Sequence, residues 1–80
     1  MTSIRLYLTF PENLVDKPVI YEVVKRFDVV PNVRRANVEP HSGWVVLELS
    51  GTADSLDAAI AYFKETGVDV NRMEGDVLES

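Results

Sequence analysis

Residues 33–49, "VRRANVEPHSGWVVLEL", decide how the chain folds. Residues 33–39 alternate, with Ala36 and Val38 on one face and Arg35, Asn37 and Glu39 on the other. Residues 44–49 alternate too: Val45, Leu47 and Leu49 face one way, Trp44, Val46 and Glu48 the other. A period of two over such a run describes a strand buried on one side only. Between them "EPHSG" has turn composition, with Gly43 expected to supply backbone freedom. Two strands joined in this way form a hairpin, and whatever flanks it sets the topology.

On the N-terminal side lies a helical pattern. Val19, Ile20, Val23, Val24 and Phe27 recur at helical spacing and make one apolar stripe. Asp16 is the expected N-cap and Pro18 falls in the first turn, where its missing N–H costs little. Lys25 and Arg26 lie in the last turn and complement the helix dipole. Pro31 is expected to stop any continuation, with Pro31-Asn32 as turn chemistry. Further out, residues 4–10 alternate again, with Ile4, Leu6, Leu8 and Phe10 pointing inward.

The C-terminal side mirrors this. Asp54 and Ser55 are cap candidates for a helix striped by Leu56, Ala59, Ile60 and Phe63. Gly67 is expected to end it. Residues 68–73 form a last strand with Val68 and Val70 inward, and residues 74–80 are a polar tail. The order β-α-β-β-α-β predicts an α+β, ferredoxin-like domain: a four-stranded antiparallel sheet with two helices on one face. The first and third strands take the centre and the second, with Arg34 and Arg35, is an edge. The whole chain of 80 residues is one domain, with its core over 4–73.

Composition excludes much. There is no cysteine, which removes disulfides, iron–sulfur ligation and thiol chemistry. The single histidine, His41, excludes a His-rich zinc site and reads as a solvated turn residue. Neither a metal nor any other cofactor is expected. No apolar run suits a membrane span, so no membrane insertion is expected and the reading is cytoplasmic. The net charge is −5, against nucleic-acid binding. The open sheet face carries Arg5, Tyr7, Thr9, Arg35, Asn37, Trp44, Val46, Glu48, Asp69 and Asn71. Its aromatics invite comparison with sheet-face RNA binders, but Glu48 and Asp69 share the face. Tyr7, Trp44 and Val46 are instead expected to form an interface with a partner or a second copy.

Catalytic residues are not apparent, and the reading is non-enzymatic. The loop after the first strand, "FPENLVD", lacks the Gly and Arg of an anion cradle. His41 and Ser42 are neighbours in a turn, a poor basis for convergent chemistry.

The chain resembles the NIL domain, a small regulatory domain at the C-terminus of methionine importer ATPase subunits and beside some ferredoxin modules. The pieces that carry the likeness are "VDKPVIYEVVKRFDV", "NVRRANVEP" at the family's Asn-Ile-Leu, "GWVVLELSG" and "AAIAYFKETGVDV". Asn32 matches the family's Asn and Val33 its Ile; Arg34 departs from its Leu. The resemblance implies a homodimer that senses L-methionine or a related amino acid. Two copies associated around the edge of the second strand are expected to form a cleft between subunits that holds the ligand against Asn32, Val33, Arg34 and Arg35, with Phe10 and Pro11 as walls. No phosphate-binding loop is present, so the ATPase of the importers is not carried over. The alternative is a ligand-free module that docks on a separate partner protein.

Overall fold

The computed structural model describes residues 2–73, and the tail expected from residue 74 onward lies outside them. The chain runs β1 (Thr2–Phe10), α1 (Val19–Phe27), β2 (Val30–Val38), β3 (Gly43–Gly51), α2 (Ala53–Thr66) and β4 (Asp69–Arg72). A single 3₁₀ turn, Glu12–Leu14, lies between β1 and α1. The sheet order is β2-β3-β1-β4 and every pairing is antiparallel. This is the expected βαββαβ architecture.

Cross-strand partners share a face, so the pairing sorts the side chains. Leu6 opposes Leu47 and Leu8 opposes Val45, under the helices. Tyr7 opposes both Val46 and Asn71, on the open side. The core consists of Ile4, Leu6, Leu8 and Phe10 from β1, Val45, Leu47 and Leu49 from β3, Val19 and Val23 from α1, and Leu56, Ala59 and Phe63 from α2, closed by Val29 and Val68. Burying one such Leu or Phe contributes about 1.5–3 kcal/mol. The roof is joined by Phe27 packed edge-on to Tyr62, with the Arg26 guanidinium 5.1 Å from the Tyr62 ring centre.

The helix ends differ from expectation. Pro18, not Asp16, occupies the N-cap of α1, without a side-chain cap hydrogen bond. The cap of α2 is Thr52, whose Oγ1 accepts from the Ser55 N–H at 3.1 Å; Asp54 and Ser55 lie inside the helix. Gly67 ends α2 at φ 107°, as its position suggested. Asp28 ends α1 in the left-handed region, φ 57°, so the helix stops before Pro31. Pro31 is therefore no terminator and Pro31-Asn32 no turn: both lie within β2, an edge strand, where proline is tolerated. Gly43 has no positive φ. Space is its constraint, because a Cβ there would lie 3.4 Å from both Val15 Cγ2 and the Asn37 carbonyl oxygen.

One irregularity shapes β2. Val33 opposes Leu47, but the next paired residue is Arg35, opposite Val46, leaving Arg34 as a bulge. Without that extra residue, Val33 and Ala36 could not both face the helices. With it, Arg34 reaches Glu48 on the open side at 3.4 Å.

Candidate functional site

The helices leave β2 uncovered. All nine of its residues are exposed, including Val33 at 54 % and Val38 at 67 %. Since β2 pairs only with β3, its outer edge carries no strand partner among the described residues. An edge this long, with apolar side chains and free backbone groups, is a template for another strand. On its open face stand Asn32 opposite Glu48, Arg35 opposite Val46 and Asn37 opposite Trp44. Arg34 pairs with Glu48, whereas Arg35 has no ion-pair partner among the described residues. Val33 lies on the helix side, with Pro31, Ala36 and Val38.

The six residues expected to meet a ligand between two copies are spread along the sheet within one protomer. Asn32 opposes Glu48, while Phe10 opposes Gly43, five residues and about 17 Å further along β3, and on the other side of that strand. Arg34 and Arg35 lie between these ends. Phe10 is buried and Pro11 exposed. Asn32 and Val33 point to opposite faces.

At the Phe10 end there is a cleft of about 180 Å³ on the helix side. Its walls include Phe10, Val15, Pro18, Ile20, Val38 and Val45, and Lys17 and Tyr21 also line it. The loop after β1, the first turn of α1 and the end of the β2–β3 hairpin build it together. Beside it, His41 Nδ1 lies 2.7 Å from Glu12 Oε2, tying the hairpin turn to the 3₁₀ turn. His41 is thus a paired residue rather than only a solvated one. Both side chains are largely exposed, which keeps the contribution of the pair small.

On the open face Tyr7 and Trp44 lie near-parallel, ring centres 5.6 Å apart, and both are half-buried. Val46, their expected companion in an interface, is already buried in the protomer, between Tyr7 and Arg35 on the neighbouring strands. Among the described residues no three His, Cys, Asp or Glu gather as a metal site. No helix among them is long and apolar enough to cross a membrane. Between the helices, the Tyr62 hydroxyl donates to Glu22 at 2.9 Å. That bond to a carboxylate, followed by partial desolvation, raises the phenol above its ordinary range.

Comparisons with known proteins fit this geometry. The iron–sulfur subunit of L-aspartate semialdehyde sulfurtransferase from Methanocaldococcus jannaschii is 30% identical over 63 residues, 79% of this chain and 48% of that protein. A methionine import ATP-binding protein of Coxiella burnetii is 30% identical over 69 residues, 81% of this chain and 20% of that one. The chain therefore spans about half or less of the length of these two relatives. An uncharacterized protein of Synechocystis is 30% identical over 71 residues, 86% of this chain and 73% of its own. Among solved structures, the C-terminal domain of an ABC transporter ATP-binding protein from Enterococcus faecalis superimposes with a TM-score of 0.78. It covers 89% of this chain and 83% of that one at 19% identity, a likeness of fold. The NIL domain model matches residues 4–72, all four strands and both helices, and the chain belongs to the NIL domain family.

Proposed function

We propose that the chain is a non-enzymatic, cytoplasmic regulatory module that binds a small amino acid, L-methionine or a relative, as a homodimer. The observation that carries this reading is the free nine-residue edge of β2 with its exposed valines. Two such edges pair antiparallel about a two-fold axis. If the axis passes near the strand's middle, Val30 to Val33 of one protomer meet Arg35 to Val38 of its partner. Asn32, Val33 and Arg35 of the two copies then come together near the middle of the joined edge, whereas Phe10, on β1, stays two strands in from it.

The chemistry of the edge suits a zwitterion. Arg35 offers a guanidinium that can take a carboxylate with two hydrogen bonds. Glu48, opposite Asn32 and 3.4 Å from Arg34, offers a carboxylate that an ammonium group can share with that arginine. Asn32 supplies both donor and acceptor. Val30, exposed on the same face as Asn32 and Glu48, supplies apolar surface for a thioether or alkyl chain. Relatives named as methionine import proteins support the choice of amino acid.

Calorimetric titration with L-methionine tests the reading. Heat should be released by the native chain and lost in Asn32→Ala; unchanged heat removes Asn32 from the site. Sedimentation should give a dimer that Val33→Lys splits.

A second reading, a ligand-free module docked on a separate protein, is favoured by the half-buried Tyr7–Trp44 pair on the open sheet face. The two readings separate by melting temperature. A ligand at one hundred times its Kd stabilises the native state by about 2.7 kcal/mol, whereas a pure docking module gives no shift with any amino acid.

A further inference from the structure

We propose that the cleft at the β1–α1 corner is a separate binding site for a small apolar monocarboxylate that lacks an ammonium group. The volume, about 180 Å³, exceeds that of a cavity able to hold benzene, which is about 150 Å³. It therefore takes a branched alkyl chain of a few carbons. Phe10, Val15, Pro18, Ile20, Val38 and Val45 give the walls the apolar character that such a chain requires.

Charge then selects the head group. Lys17 is the one charged residue among the described residues that line the cleft. It has no ion-pair partner among the described residues. The neighbouring acids are engaged elsewhere or lie outside the lining: Glu12 is bound to His41, Glu22 to Tyr62, and Asp16 does not line the cleft. An anionic head finds a cation there. An α-ammonium group finds no carboxylate and meets Lys17 as a like charge. The cleft thus rejects the zwitterions suited to the β2 edge, and it is complete within one protomer. This inference does not rest on the homodimer.

The test uses the full chain and 4-methylpentanoate as probe, with L-leucine and 4-methyl-1-pentanol as controls of nearly equal bulk. Amide shifts in a ¹H–¹⁵N spectrum report both affinity and place. The carboxylate should move Val15, Ile20, Tyr21 and Gly43, binding about tenfold more tightly than either control, the difference one charge-assisted hydrogen bond supplies. Lys17→Met, at an exposed position, should reduce its affinity to that of the alcohol. Val15→Phe should fill the cleft and abolish binding. Asn32→Ala should leave 4-methylpentanoate binding intact even where it removes binding of methionine. Equal affinity for acid and alcohol, indifference to Lys17→Met, or shifts elsewhere on the surface would overturn the proposal. So would the absence of any shift at millimolar probe.

Discussion

Removing one of the two adjacent arginines, Arg34, should leave the fold intact, although it deletes a residue from inside a strand. In a regular strand such a deletion turns every later side chain to the wrong face. Here Arg34 is the surplus residue of a bulge: Val33 opposes Leu47 and Arg35 already opposes Val46. Closing the gap gives a regular ladder with Val33, Ala36 and Val38 still on the helix side. The loss is one ion pair, with Arg34 47% and Glu48 29% exposed. Such a pair contributes about 0–1 kcal/mol. The gain is a restored backbone hydrogen bond, about 0.5–1.5 kcal/mol. The net change should lie within about 1.5 kcal/mol in either direction, a shift in melting temperature of at most about 12 °C.

The control is deletion of Val46 from β3. That puts Glu48 where Leu47 was and turns out either Leu47 and Leu49 or the residues before them. Leu47 and Leu49 are fully buried. Exposing both costs about 3–6 kcal/mol, a large part of the roughly 4–12 kcal/mol that a chain of 80 residues has to lose. Urea unfolding followed by circular dichroism compares the two. A destabilisation above about 3 kcal/mol in the Arg34 deletion, or the loss of its cooperative transition, would refute the bulge reasoning.

Three further outcomes follow from the helix ends and the roof. Thr52→Ala should cost about 1 kcal/mol through loss of the cap on Ser55, while Asp16→Ala should stay within about 0.5 kcal/mol; thermal melts decide. Gly67→Ala should cost about 1–2 kcal/mol, because the residue sits at φ 107° although a Cβ there would meet only Leu14 Cδ1 at 3.5 Å. Tyr62 is held neutral by its bond to Glu22, so its folded pKa lies above the unfolded value. The stability from that bond is present below about pH 10 and is lost as pH rises through the folded pKa. The gap between the native chain and Tyr62→Phe should therefore narrow from pH 9 to pH 11 in urea titrations.

The sheet was legible because period two and period 3.6 are properties of single segments. Leu6, Leu8, Val45, Leu47 and Leu49 alternate cleanly, and all are buried. What escaped the sequence was decided between segments. The Arg34 bulge is a mismatch between β2 and β3 that neither strand shows alone. Asp28 adopts its left-handed conformation because the chain must leave α1 and enter β2 within two residues. The cap of α2 went to Thr52 rather than Asp54 because position, not residue preference, fixes which oxygen reaches Ser55. Candidate ligand residues were legible one at a time. Their separation along β3 was not, because it depends on pairing register. Nor did the cleft beside Lys17 leave a signal, since Val38 and Val15 come together only when the hairpin closes on the loop after β1.

The two borders of the sheet are unequal in a way that limits growth. Among the described residues β2 offers nine residues and β4 four. An assembly that joins long border to long border leaves only short ones facing outward, too small a seed for further layers. Two arginines at the bulge also discourage flat stacking of many copies. A chain built with such a bare flank can accept one neighbour and still stay clear of fibrils.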